Sequence, residues 1–142
     1  MPDQTTLFPL EFFIEGVPIS LGASSRSKDR WRQSVVETAR WRQRETDELG
    51  FIDQRALAVT IYYFANAPME GDIDNIQKPI LDALIGIAYP DDNVIERVVS
   101  QKFEPDIDWA FAAPSDQLAA ALDRDAPVVY VRVDDDLSWR HL

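Results

Sequence analysis

The pattern of apolar and polar positions predicts four strands that alternate with three helices. Stretches rich in β-branched and aromatic residues are typical of buried or half-buried strands, and they occur at 10–17, 56–65, 94–103 and 127–133. Apolar positions three and four residues apart are typical of helices, and they occur at 29–48, 72–86 and 114–124. The order β-α-β-α-β-α-β predicts a single α+β domain whose mixed sheet carries the helices packed on it.

Local signals refine these elements. Asp29 and Ser115 precede helical patterns and are predicted N-caps, because their side chains can accept hydrogen bonds from the first free amides. Pro79 is expected in or near the first turn of its helix, since a deeper position costs about 3 kcal/mol. One apolar stripe is expected along the first helix, formed by Trp31, Val35 and Ala39.

Composition limits the chemistry that the chain can perform. The 142 residues suit one domain over 1–142, and the absence of cysteine excludes disulfides, thiolate metal sites and thiol nucleophiles. His141 is the one histidine, which leaves little for a Ser/His/Asp triad. No signal peptide is recognisable, and the longest apolar run, 56–65, is about half of a membrane span. These features predict a soluble, cytoplasmic protein without membrane contact.

The charge is distributed unevenly. The net charge is −11, yet residues 26–44 hold seven basic and two acidic residues, interleaved with Trp31 and Trp41. Such a patch can neutralise phosphates and stack on bases, although a solvated helix face whose arginines pair with acidic residues has the same composition. The candidate DNA-binding residues are Arg26, Lys28, Arg30, Arg32, Arg40, Arg42 and Arg44.

Carboxylates are concentrated in the segment 71–94. Asp72 and Asp74 leave the same side of the backbone if that stretch is extended, and a turn with Asp91 and Asp92 follows the predicted helix. Oxygen donors without nitrogen or sulfur suit a hard cation such as Mg²⁺. Taken singly, each carboxylate also fits an N-cap, a surface ion pair or a turn, as with Asp82, which shares a helix face with a lysine four residues earlier.

Together these residues form a motif that resembles a known family. The pattern Asp72-x-Asp74-Asn75-x-x-Lys78, then Asp82-Ala83-Leu84, Gly86 and Asp91-Asp92-x-Val94, is similar to the signature of RusA-type Holliday junction resolvases, the phage and bacterial crossover-junction endodeoxyribonucleases. The resemblance is strongest over roughly residues 70–99. The earlier strand, basic loop and helix occur in the same order as in that family.

The resemblance implies a homodimeric, Mg²⁺-dependent endonuclease that acts on branched DNA, with Mn²⁺ as a substitute cofactor. It implies metal binding by Asp72, Asp74 and Asp92, and catalysis by these three residues with Lys78. Asn75, Asp82 and Asp91 would surround the metal ligands. The domain would then consist of a basic loop and helix at 18–48, an acidic metal motif at 70–94 and a polar tail at 134–142.

The net charge of −11 is the main departure from a DNA-binding protein, because phosphate contacts dominate DNA affinity. The motif does not account for seven acidic residues: Asp106, Asp108, Asp123, Asp125, Asp134, Asp135 and Asp136. Two alternatives follow. One is a nuclease subunit that needs a partner protein and acts on other DNA or RNA forms. The other is a non-catalytic acidic module that mimics DNA or serves assembly.

Overall fold

A computed structural model describes residues 7–16, 25–46, 52–68 and 73–141, with the backbone alone at Ser25, Thr46, Asp74 and Asn75. The strands are β1 (Leu10–Glu15), β2 (Leu57–Phe64), β3 (Ile95–Phe103) and β4 (Val128–Asp134). The helices are α1 (Ser25–Thr46), α2 (Asp74–Ala83) and α3 (Asp116–Leu122). Two short 3₁₀ helices are η1 (Asp92–Val94) and η2 (Ser138–His141). The predicted α+β class and element order are confirmed.

The four strands form one mixed sheet in the order β1-β4-β2-β3. β4 is antiparallel to both of its neighbours, whereas β2 and β3 are parallel and remain paired as far as Phe64 and Phe103. The last strand in sequence thus lies inside the sheet. β1, β2 and β3 all point the same way, so we call the edge where they end the carboxyl edge and the edge where they begin the amino edge.

Strand alternation divides the apolar side chains between the two faces of the sheet. Leu57, Val59 and Ile61 point towards α1 and α2 and belong to the main core. The predicted stripe on α1 is confirmed, since its members are buried in this core: Trp31, Val35 and Ala39. Because α1 and α2 each follow a strand that ends at the carboxyl edge, both helices begin at that edge and run towards the amino edge.

The opposite face carries α3 and an aromatic cluster. Leu118 and Ala121 of α3 are buried there against the sheet. The rings of Tyr62, Phe64 and Phe103 pack with one another, and neighbouring centroids are 4.9–6.4 Å apart. These two packed layers hold the sheet between them.

The residues after β4 return to β3. In η2 the Arg140 Nε donates a hydrogen bond to Glu96 Oε1 at 2.9 Å. The guanidinium of Arg97 lies 5.6 Å from the ring centre of Trp139. The polar tail is therefore attached to the amino-terminal end of an outer strand.

The two predicted N-caps have different outcomes. Ser115 is confirmed as an N-cap, because its Oγ accepts a hydrogen bond from the Leu118 amide at 3.2 Å. Asp29 as an N-cap is wrong: α1 begins four residues earlier, at Ser25, because no Gly or Pro lies between Ser25 and Trp31.

The expected position of Pro79 is also wrong, since it is the sixth residue of α2 and lies beyond the first turn. Its ring removes the hydrogen bond to the carbonyl of Asn75. Ile76 and Ile80 are buried on the same helix. Burial of such side chains contributes about 1.5–3 kcal/mol each, enough to offset the cost of about 3 kcal/mol for an interior proline.

Candidate functional site

The acidic motif is built on α2, whose first turn is fixed to β3. The Ser100 Oγ donates a hydrogen bond to Gln77 Oε1 at 2.9 Å. Asp74 is the first residue of α2, so its backbone lies at the carboxyl edge. Asp72 lies outside the described residues, as do the side chains of Asp74 and Asn75.

Lys78 and Asp82 share a face of α2, as predicted from their spacing. The Lys78 Nζ lies 3.4 Å from Asp82 Oδ2, and the lysine side chain is 71% exposed. The lysine is thus directed towards the carboxyl-terminal half of the helix, away from Asp74. An exposed pair of this kind contributes about 0–1 kcal/mol, so little free energy opposes its release.

A tight turn follows α2, and hydrogen bonds at Gly86 and Tyr89 help to hold it. Gly86 has φ +87°, a backbone angle that residues with a side chain rarely adopt. Its amide donates a hydrogen bond to the Tyr89 carbonyl at 2.8 Å. The buried Tyr89 hydroxyl donates to the Leu81 carbonyl at 2.7 Å. These contacts fix where Asp91 and Asp92 emerge, and both of these residues are exposed.

The turn places Asp92 near Asp82, beside the carboxyl-terminal half of α2. Burial raises the pKa of Tyr89, and the negative charges of Asp92 and then Asp82 raise it further. All three groups therefore lie together at the end of α2. Asp74, by contrast, is the first residue of α2. Among the described side chains, no three carboxylates or histidines are grouped closely enough to bind a metal ion.

Sequence reasoning missed two charged residues at the carboxyl edge. Lys102 is two residues beyond Ser100 on β3, so both side chains lie on the sheet face that carries α1 and α2. The Lys102 Nζ lies 3.6 Å from Glu104 Oε2. The period-two alternation of the predicted strand was the available signal, because it assigns residues 98, 100 and 102 to one face.

Six of the seven basic residues of the patch are exposed on α1, and none of the six forms an ion pair with another described residue: Arg26, Lys28, Arg30, Arg32, Arg40 and Arg44. Arg42 differs, since its Nε donates to the Glu11 carbonyl at 2.8 Å and its guanidinium lies 3.3 Å from Glu45. The two tryptophans also differ: Trp31 is 7% exposed and Trp41 is 61% exposed. Trp41 is thus accessible for stacking and Trp31 is not.

A polar cluster joins β1, β4 and α3 on the opposite face of the sheet. The Glu11 Oε2 accepts hydrogen bonds from Ser115 Oγ and Tyr130 OH, both at 2.5 Å. The guanidinium of Arg132 lies 3.5 Å from Glu11 and 2.7 Å from Asp134. Burial raises the pKa of Tyr130, and its hydrogen bond to Glu11 acts in the same direction. The N-cap of α3 is therefore coupled to the sheet.

Part of the acidic surface is paired within the chain. Arg55 forms ion pairs with Asp53 at 2.7 Å and Asp135 at 2.8 Å. Its hydrogen bond to Asp53 lowers the pKa of that carboxyl group. Of the seven acidic residues that the motif does not account for, Asp134 and Asp135 thus have partners, and the other five are exposed: Asp106, Asp108, Asp123, Asp125 and Asp136. Among the described helices, none has the length and apolar character needed to cross a membrane.

The protein is an α+β domain with a mixed sheet. The basic helix α1 lies on the same face of this sheet as α2, which carries the acidic motif. The family model described as endodeoxyribonuclease RusA matches residues 24–108, which is more than half of the chain. The chain belongs to this family. No curated protein is significantly similar to it.

Proposed function

We propose that the protein is a Mg²⁺-dependent, structure-selective endodeoxyribonuclease that hydrolyses phosphodiester bonds in Holliday junctions or other branched DNA. Membership of the RusA endodeoxyribonuclease family is the observation that carries this proposal. The exposed basic residues of α1 and the acidic motif on α2 support it, because they supply a phosphate-binding surface and oxygen donors on the same face of the sheet.

The metal would be held by Asp72, Asp74 and Asp92. Their donors are all carboxylate oxygens, which suit Mg²⁺, and Mn²⁺ can replace it in such a set. The bound metal would supply Lewis-acid chemistry at a phosphate oxygen and lower the pKa of a water. Lys78 would stabilise negative charge on the phosphate, and it is free to turn because its exposed pair with Asp82 is weak.

The remaining motif residues would support this set. Asn75 follows Asp74 in the first turn of α2, where it would hold the metal ligands or cap the helix. Asp91 precedes Asp92 in the chain, and Asp82 lies across the turn from it. Both would add negative charge beside Asp92.

The position of Asp92 bears on the quaternary structure. Asp92 lies with Asp82 and Tyr89 beside the carboxyl-terminal half of α2, whereas Asp74 begins that helix. We therefore propose a symmetric homodimer in which the Asp92 carboxylate of one copy completes the metal site of the other. A two-fold axis would then produce two equivalent sites, which suits cleavage of two strands of one junction.

DNA would bind along α1. A helix of this length extends about 33 Å, and its exposed basic residues lie in two groups, 26–32 and 40–44, separated by a stretch that contains Glu37. The first group lies at the carboxyl edge, near the start of α2. Trp41 lies in the second group, where it could stack on an unpaired base at a branch.

The test is cleavage of a labelled four-way junction, compared with matched duplex, flap and single strand, with Mg²⁺ and with a chelator. We expect paired nicks in the junction that require Mg²⁺ and that are lost in Asp74→Asn. Asp125→Asn is the matched control, because it removes an exposed carboxylate outside the motif. Cutting of every form equally would contradict structure selectivity, and unchanged cutting by Asp74→Asn would contradict the site.

The net charge of −11 supports a second candidate, a subunit that obtains its DNA affinity from a partner protein. Absence of binding and cleavage by the purified chain, followed by cleavage once a DNA-binding partner is added, would favour that candidate. Absence of cleavage under both conditions would favour a non-catalytic acidic module that mimics DNA or serves assembly.

A further inference from the structure

We propose that Lys102 is a phosphate-contacting residue of the site at the carboxyl edge, where it lies level with Asp74. The inference rests on the proposed function, because it concerns the DNA that this site would bind. It adds a cation from β3 to a motif that otherwise lies on α2 and the segments next to it.

The Ser100–Gln77 hydrogen bond fixes the relative height of β3 and α2. The two elements run in opposite directions, so residues after Ser100 and residues before Gln77 approach the same edge. Asp74 is three helical residues from Gln77, a rise of about 4.5 Å. Lys102 is two strand residues from Ser100, a rise of about 6.6 Å. The two backbones therefore end at nearly the same height, and a lysine side chain is long enough to reach across.

The direction of Lys102 agrees with this position. Its register partner on β2 is Tyr63, which belongs to the core on the α1 and α2 face. Its side chain is 37% exposed, so the ammonium group is accessible to a ligand. Lys78, by contrast, is directed towards Asp82 at the other half of α2. Lys78 is part of α2 and Lys102 is part of β3. Of these two lysines, Lys102 is therefore the one that lies at the edge where α2 begins.

The Lys102–Glu104 pair is compatible with this role. Its separation of 3.6 Å is too long for a strong hydrogen bond, so the ammonium retains donors for a phosphate oxygen. Glu104 would hold the lysine at the edge in the absence of DNA. The competing explanation is that the two residues form an ordinary surface ion pair, which contributes about 0–1 kcal/mol to stability and nothing to DNA binding.

Binding and cleavage separate these explanations. Affinity for a four-way junction is measured in chelator over a range of salt concentrations, and single-turnover cleavage is measured in Mg²⁺. For Lys102→Ala we expect the slope of log K against log salt to fall by about one and the cleavage rate to fall on the order of 100-fold. Lys102→Arg should keep the slope, and Glu104→Gln should keep it as well, because both retain a cation.

A footprint gives a readout that does not depend on activity. The chain has three lysines, Lys28, Lys78 and Lys102, so acetylation can be followed at each by mass spectrometry. We expect Lys102 to be protected when the four-way junction is bound in chelator, and Arg124→Ala, which alters an ion pair on the other face, to leave that protection unchanged.

The outcomes distinguish this inference from the function on which it rests. If the wild type binds and cuts the junction while Lys102→Ala keeps the wild-type slope and rate, the inference is overturned and the proposed function stands. Equal acetylation of Lys102 with and without bound junction would overturn it in the same way. If the wild type neither binds nor cuts branched DNA, the proposed function fails and the inference fails with it.

Discussion

The separation of Asp74 and Asp92 along α2 makes the proposed dimer testable by mixing two inactive variants. Asp74→Asn removes a carboxylate at the start of α2, and Asp92→Asn removes one beyond its end. Both changes preserve side-chain size and exchange an ionised oxygen for an amide. Each variant alone should bind DNA and fail to cut, because both sites of its dimer lack a ligand.

The expected rescue follows from the geometry. If Asp92 acts in the site of the other copy, a mixed dimer has one site with both substitutions and one site with none. Free exchange makes about half of the dimers mixed, and each restores one of its two sites, so about one quarter of the wild-type site concentration returns. The product should be a single nick in the junction, because the second site of each mixed dimer is defective.

The assay mixes the two purified variants after mild denaturation and refolding, and compares the mixture with each variant and with refolded wild type. Native mass spectrometry verifies that mixed dimers have formed. If mixed dimers are present and the mixture cuts no better than the separate variants, while the wild type cuts, then Asp92 does not complete the partner's site. A monomeric wild type that cuts would refute the same reasoning more directly.

Three further predictions concern the scaffold of the site. Glu11→Ala leaves the hydroxyls of Ser115 and Tyr130 without their acceptor and should lower the free energy of unfolding by about 3 kcal/mol, measured by denaturant titration; a loss no larger than that of an exposed glutamate would contradict it. Tyr89→Phe should cost about 1 kcal/mol. Burial raises the Tyr89 pKa above its ordinary value of 10, so above pH 10 only the phenol of the unfolded state ionises, and wild-type stability should fall as pH rises. The free energy of unfolding of Tyr89→Phe, measured across that range, should fall less steeply. Gly86→Ala should cost about 1–2 kcal/mol, because open space surrounds its Cβ position and only the positive φ is unfavourable; thermal unfolding should show a smaller loss for Gly86→Asn, and equal losses would contradict this origin.

Elements with strong local signals could be predicted from the sequence. Ser115 precedes a short helix, and its cap requires only residues within one turn. The stripe of Trp31, Val35 and Ala39 follows from helical spacing, which places all three against the sheet. The same spacing separates Trp41 from that stripe, so the exposure of one tryptophan and the burial of the other could have been predicted.

Features that depend on distant residues were not predictable from local pattern. Pro79 is tolerated in the second turn of α2 because buried isoleucines on that helix stabilise it. The sequence offers more than one residue type that can cap α1, since Ser24 precedes its first residue, Ser25, and Asp29 lies inside the helix, and local pattern does not choose between them. β4 lies between β1 and β2 because it pairs with strands that are distant in the sequence, β1 by more than a hundred residues and β2 by several tens. The alternation of apolar and polar residues does not encode these pairings.

The candidate site was predictable in composition and not in arrangement. The motif identifies carboxylates by spacing, but whether the turn at Asp91 and Asp92 returns to the helix start depends on how β3 packs. Because β3 is parallel to β2, its amino end stays with the turn and its carboxyl end reaches the start of α2. This topology brings Lys102, rather than Asp92, to the carboxyl edge of the sheet.

The attachment of η2 to β3 has a consequence for solubility. β3 is an outer strand, and its free amide and carbonyl groups are a surface on which other chains could add strands and aggregate. The charged side chains of Glu96 and Arg97 lie at the amino-terminal part of this strand and contact Arg140 and Trp139, and charges on an outer strand oppose such pairing. Four residues of a polar tail therefore help to keep copies of the protein from associating through their sheets.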